Sequence, residues 1–244
     1  MIAQLGMYDW PQLRTAHHQY WTTLRLHLGY GPENLTWDAS DYWAIWQSPD
    51  LLLSQTCGLP YRANLHQQVN LIGTPDYGLD GCASGEYNSV IVAQTKRPDL
   101  QNGILAINDE LSQSGWAAPW AHGLRPNRIC VTGGHAASAK AVAMGHATLA
   151  AIDAQTWTLL IRYTDWARDL QVIERTAPTP ALPYITAKSR DVAALQLAIR
   201  HAAQTHGSAL DIRGIVDIRA DDYLALPLPP EPKDVAEIVG VAAD

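Results

Sequence analysis

The chain has 244 residues, enough for one large domain or two lobes, and its 47% apolar content allows a sizeable core. A net charge of −7 argues against nucleic acid or an anionic membrane surface as the main partner. Three widely spaced cysteines (Cys57, Cys82, Cys130) with no CxxC argue against a disulfide framework, and no apolar run approaches the ~20 residues of a membrane span.

In chain order, Ile2 to Met7 reads as a short strand. Asp9, with Gln12 three positions on, reads as a capping box for a helix whose Leu13, Ala16, Tyr20, Leu24 and Leu28 recur at helical spacing. Gly29 stops that helix. Tyr8 lies between strand and helix, at an edge where ligands of open α/β sheets sit, and is either a contact or a structural loop aromatic. A helix from Ser40 through Trp46 precedes the strand Leu51 to Leu53. Ser54 to Gly58 follows, placing Thr56 at the same kind of edge, while Cys57 reads as an inert thiol. Val69 to Gly73 is a further strand, and the Gly/Asp-rich stretch 74–85 reads as a loop.

Tyr87 to Gln94 is a strong strand and reads as the crossing into a second lobe. From there strand and helix alternate: strands at 103–107, 128–132, 149–152 and 170–175, helices near 114–122, 136–145 and 155–163. Alternation of this kind implies a parallel sheet with right-handed crossovers. The turns after the first three strands carry Ser112-Gln113-Ser114-Gly115-Trp116, then Gly133-Gly134-His135, then Asp153, so all three converge on one sheet edge. The Pro-rich stretch 176–183 reads as a stiff connector back to lobe 1. A strand at 184–187, an amphipathic helix at 191–203, a short element near 212–218 and a Pro-rich tail complete the chain. The expected division is 1–86 with 184–244, and 87–183, in an α/β two-lobed clamshell with a cleft between lobes.

A Ser-x-Ser-Gly turn opening a helix suits an anion. The first N–H groups of a helix have no internal partner and carry the positive end of its dipole. The hydroxyls of Ser112 and Ser114 and the N–H groups of Ser114, Gly115 and Trp116 are the candidate donors, with His135 adding another. A plain helix cap explains the same serines, and a loop or cap role explains His135. Asp153 either caps the following helix or accepts a hydrogen bond from a P–OH or an amino group, which excludes sulfate. Trp116 reads either as an apolar wall or as core.

The succession NDELSQSGW, VTGGHAASAKAVAMGHATLAAIDAQTW and TAPTPALPYI resembles the phosphate/phosphite/phosphonate-type substrate-binding proteins of ABC importers. The matches are Ser112, Gln113, Ser114 and Gly115 in the first turn, His135 with Ser138 in the second, and Asp153 with Thr156 and Trp157 in the third. The resemblance implies the type 2 periplasmic-binding-protein fold, no catalysis, no cofactor and no metal. It also implies a small phosphorus oxyanion as ligand and an ABC permease as partner. Two departures bear on the ligand: Gln113 stands where the family has threonine, and the SQTCG stretch replaces a Gly-Pro-aromatic type segment. Tyr8 and Thr56 would then close over the ligand from lobe 1, in a monomer. Residues 1–5 show no export signal, so the expected place is the cytoplasm for the chain as written, or the periplasm if a signal has been removed. The competing readings are a cofactor-biosynthesis-type enzyme and a cytoplasmic sensor on the same fold. Against the enzyme, the sequence has no nucleophile elbow, P-loop or HExxH pair.

Overall fold

The computed structural model describes residues 1–37, 41–95, 98 and 103–240. It divides into two compact units, Met1–Glu86 with Pro180–Leu226 and Tyr87–Thr179 with Pro227–Asp244. Among the described residues, no helix is long and apolar enough to cross a membrane.

The first unit is built on a five-stranded sheet ordered Ile2–Ala3, Leu51–Gln55, Tyr184–Ala187, Val69–Asp76, Gly214–Val216. The first two strands run parallel, and Tyr184–Ala187 runs antiparallel to both of its neighbours. Leu51, Leu52 and Leu53 are all fully buried, as a continuous apolar run at the centre of a sheet should be. The Arg14–Leu28 and Val192–His206 helices pack on each other. Tyr20, Trp21 and Leu24 of the first helix and Leu195, Ala198 and Ile199 of the second are at zero exposure, which is the i, i+3, i+4 pattern of buried helix faces. A further core joins Trp46, Leu51, Tyr61, Leu65, Ile185 and Tyr223.

Local chemistry explains where the expectations shift. The first strand ends at Ala3, and Gly6–Tyr8 forms a 3-10 turn. Asp9 does not cap the helix that follows; its two carboxylate oxygens accept from Arg14 at 2.8 and 2.7 Å. The helix is instead entered through the turn Pro11–Leu13, because proline fixes φ and needs no N–H partner in a first turn. Gly29 ends it at φ +83, where its N–H bonds the Arg25 carbonyl at 2.9 Å. The next helix is Tyr42–Trp46, capped by Asp41 through the Ala44 N–H at 2.9 Å; its expected start at Ser40 lies outside the described residues. The third strand continues to Asp76, since Gly214–Val216 pairs with Thr74–Asp76. A partner so distant in sequence leaves no local signature.

The second unit has a six-stranded sheet ordered Glu237–Ile238, Arg128–Val131, Ile104–Ile107, Leu149–Asp153, Ser89–Ala93, Gln171–Arg175. The first four run parallel, as expected from the alternation of strands and helices. Ser89–Ala93 is antiparallel to both of its neighbours, so the sheet is mixed and not wholly parallel. That strand enters from the other unit with no crossover helix before it, so nothing constrains it to the parallel direction. Ile91, Ala93, Leu105, Ile107, Ile129 and Leu149 form its core with Trp116.

The sequence assigns 184–244 to the first lobe, whereas the segment from Pro227 onward belongs to the second unit. Two contacts place it there. Glu237–Ile238 adds a parallel strand beside Arg128–Ile129, and the Pro230 carbonyl accepts from the Trp116 indole N–H at 2.8 Å.

Candidate functional site

Three parallel strands of the second unit end at one sheet edge, and each runs into a turn that carries chemistry. Ile104–Ile107 is the middle strand of the three. Arg128–Val131 lies on one side of it and Leu149–Asp153 on the other. The chain therefore reverses its direction of winding across Ile104–Ile107, which is the arrangement that opens a crevice beyond strand carboxyl ends.

The first turn begins at Asn108. The Asp109 side chain accepts from the Leu111 N–H at 2.7 Å, and its carbonyl accepts from the Ser112 N–H at 3.1 Å. Ser112 caps the helical segment that follows; its Oγ accepts from the Gly115 N–H at 2.9 Å. The Ser112 carbonyl takes both the Trp116 N–H at 3.2 Å and the Ala117 N–H at 3.0 Å, giving a wide first turn over Gln113–Ala117 before Ala118–Ala121. Turns of this width are uncommon and recur at functional sites. The N–H groups of Gly115 and Trp116 are thus committed inside the turn, while that of Ser114 has no backbone partner among the described residues. Of the three backbone donors expected from the sequence, the structure leaves Ser114.

Gly115 lies tight against two side chains. A Cβ there would overlap Asn108 Oδ1 and come within 3.0 Å of Ser112 Oγ. Asn108, the first residue of the NDELSQSGW stretch, therefore shapes the turn. Gln113 is 2% exposed. Trp116 is 1% exposed, packs in the core and is anchored by its indole N–H, so it is core and not the wall of a pocket.

The second turn places His135 at the start of the His135–Ala143 helix. Gly133 holds φ +84, which glycine adopts without strain. Thr132 Oγ1 ties the turn together through the Ile107 and Gly134 carbonyls, both at 3.1 Å, and through Ser138 Oγ at 2.6 Å. Ser138 is fully buried and serves this framework. The His135 ring reaches back so that Nε2 lies 2.8 Å from Ser114 Oγ. The residue is half-buried; its Nδ1 is sealed from solvent and faces the Ala151 backbone, outside strict hydrogen-bond geometry to any of the described residues. Burial pushes its pKa down to about 4, with the Ala151 backbone partly opposing. The ring is therefore neutral at pH 7. In the Nε2–H form it donates to Ser114 and leaves the serine proton free to point outward; in the Nδ1–H form the serine donates to the ring.

The third turn is Asp153, the last residue of its strand and 2% exposed. Its Oδ1 accepts from the Thr156 N–H at 2.8 Å, so it caps the Ala154–Tyr163 helix. Opposite it across the antiparallel pair stands Ser89, whose Oγ donates to the Ser114 carbonyl at 2.9 Å. Ser89 was not among the sequence candidates, because a serine opening an apolar strand carries no local signal.

Tyr8 and Thr56 belong to the other unit. Tyr8 is 6% exposed, stacks edge-on with Tyr77 at 5.2 Å, and its carbonyl lies 3.3 Å from His17 Nε2. Thr56 is fully buried, its N–H donating to the Pro183 carbonyl at 3.2 Å and its hydroxyl to the Cys57 carbonyl at 3.4 Å. Both follow parallel strands and so share one edge of the first sheet.

This chemistry suits a small oxyanion: hydroxyl and backbone donors with one neutral imidazole, no lysine or arginine in the three turns, and one buried carboxylate. Comparison with known proteins agrees with that class. The family model of the periplasmic phosphonate substrate-binding proteins of ABC transporters matches residues 53–223. The chain is similar to the crystal structure of a binding protein component of an ABC phosphonate transporter from Pseudomonas aeruginosa, at 14% identity and TM-score 0.71, covering 92% of this chain and 83% of that one. It is also similar to PhnD1 from Prochlorococcus marinus in complex with methylphosphonate, at 14% identity and TM-score 0.73, covering 91% and 94%. A histidine kinase sensor domain with similarity to periplasmic binding proteins matches at 14% identity and TM-score 0.59, covering 89% and 98%. No curated protein sequence matches the chain. The structural likenesses establish the fold, that of the two-lobed periplasmic binding proteins. With more than half its length matched by the family model, the chain belongs to the phosphonate family of ABC-transporter periplasmic substrate-binding proteins, which bind a solute and do not transform it.

Proposed function

We propose that this protein captures a small phosphorus oxyanion (a phosphonate, phosphate or phosphite) and presents it to an ABC permease. The observation that carries this reading is the 2.8 Å pairing of Ser114 Oγ with His135 Nε2, which joins two strand-end turns. An anion selects the Nε2–H form of His135, because only then does the Ser114 hydroxyl face the ligand as a donor. The Ser114 N–H and the Ser112 hydroxyl add to it. The Asp153 carboxylate accepts from a ligand P–OH or amino group, and so discriminates against sulfate. Tyr8 and Thr56 keep their place in the proposed contact set as strand-end residues of the first unit. The protein is proposed to act as a monomer.

Charge-assisted hydrogen bonds contribute about 1.5–3 kcal/mol each, so three or four are of the size that micromolar affinity requires, about 8 kcal/mol. No local cation is then needed. A melting-temperature screen of methylphosphonate, aminoethylphosphonate, phosphate, phosphite and sulfate tests the reading. A rise with a phosphorus oxyanion and none with sulfate supports it. A flat response to the whole panel rejects this ligand class and leaves the sensor reading, for which the likeness to a histidine kinase sensor domain is the specific observation.

A further inference from the structure

The wide turn at Gln113–Ala117 leaves one carbonyl without a donor from its own segment. The Ala117 N–H bonds the Ser112 carbonyl at 3.0 Å, and the Ala118 N–H bonds the Gln113 carbonyl. The next donor in this i to i+5 series, for the Ser114 carbonyl, would be the N–H of residue 119. Residue 119 is proline and has none. Ser114 is 1% exposed, so water does not replace it, and a buried carbonyl left unpaired is costly. The group that fills the gap is the Ser89 hydroxyl, at 2.9 Å.

From this geometry we infer that Ser89 is a positioning residue for the oxyanion site: it supplies the hydrogen bond that Pro119 withholds, and thereby fixes Ser114 for His135 and for the ligand. This rests on the proposed function only for the ligand; the structural part stands without it. Ser89 is itself held from two sides. Its N–H donates to Thr176 Oγ1 at 3.0 Å and its carbonyl accepts from the Thr176 N–H at 3.0 Å, while its register partner is Asp153. Ser89 is 1% exposed and Thr176 4%. One buried serine therefore ties the strand that carries Asp153 to the turn that carries Ser114. Its hydroxyl does not reach for the ligand, because its proton is used on the Ser114 carbonyl.

The pairing of a missing donor with a substitute donor gives a rescue test. Ser89→Ala removes the substitute, Pro119→Ala restores an N–H at residue 119, and Ser89→Thr keeps a hydroxyl. Two quantities are read: methylphosphonate affinity by calorimetry, and the ring nitrogen resonances of His135 in the ligand-free protein. Ser89→Ala is expected to weaken methylphosphonate about tenfold and to shift the His135 Nε2 resonance. Adding Pro119→Ala is expected to return both toward wild type, and Ser89→Thr to preserve them. An unchanged His135 resonance in Ser89→Ala, or a double variant no better than the single one, overturns the inference. If wild-type protein does not bind methylphosphonate, the ligand reading loses support, while the His135 resonance still decides the role of Ser89.

Discussion

Ser114 Oγ and His135 Nε2 stand 2.8 Å apart, although 21 positions separate them in the chain. That side-chain contact, together with the Gly133 N–H on the Asn108 carbonyl at 3.1 Å, joins two strand-end turns. If it serves an oxyanion, Ser114→Ala should weaken methylphosphonate binding by roughly 10- to 100-fold, the range for one charge-assisted hydrogen bond. Titration calorimetry measures this. Equal affinity in the two proteins would remove Ser114 from the site.

The half-buried His135 also makes stability depend on pH. Its folded pKa, about 4, lies below its ordinary 6.5, so the unfolded chain takes up the proton first. Its contribution to stability is complete above about pH 6.5 and is lost as the pH falls toward 4. His17, whose pKa burial also lowers, contributes with the same sign. His135→Gln keeps a polar partner for Ser114 without titrating. Melting temperature against pH should fall less steeply for this variant than for wild type across that window. Parallel curves would show that the ring is not held neutral by the fold.

Gly115→Ala should be destabilising by about 1–3 kcal/mol, because its Cβ overlaps the Asn108 amide and the turn cannot move without breaking the Ser112 cap. Shortening the neighbour relieves the overlap, so the pair Gly115→Ala with Asn108→Ala should melt above the single Gly115→Ala variant. A Gly115→Ala protein as stable as wild type would mean that the turn is not tightly packed there.

The cap that Asp153 makes and its proposed ligand contact can be tested separately. Asparagine caps helices about as well as aspartate, so Asp153→Asn should melt close to wild type, while Asp153→Ala should lose about 1 kcal/mol with the bond to the Thr156 N–H. If the carboxylate also screens ligands, Asp153→Asn should admit sulfate. Equal exclusion of sulfate by both proteins would leave Asp153 as a cap alone.

What could be read from the sequence was what neighbouring residues decide. Gly29 ends its helix in the left-handed region, and the strands after which Ser112, His135 and Asp153 follow lie where period and punctuation put them. What could not be read depends on partners far along the chain. Asp9 has the pattern of a cap, but Arg14 takes its carboxylate. The direction of Ser89–Ala93, and the return of the segment after Pro227 to the second unit, are set by pairing alone. Trp116 has the composition of a pocket wall, yet its place beneath the turn is fixed by Ile107, Ile129 and the Pro230 carbonyl. The roles of Asn108 and Ser89 are hidden for the same reason: a short polar residue beside a strand carries no signal until its partner is known.

The most direct measurement is the melting temperature of wild type and Ser114→Ala with methylphosphonate and with sulfate. Ligand at about 100 times its dissociation constant stabilises by about 2.7 kcal/mol, which a melting curve resolves. The account predicts a rise for wild type with methylphosphonate, a smaller rise for Ser114→Ala at the same concentration, and none for either with sulfate. Equal rises for wild type and Ser114→Ala, or a rise with sulfate matching that with methylphosphonate, would contradict it.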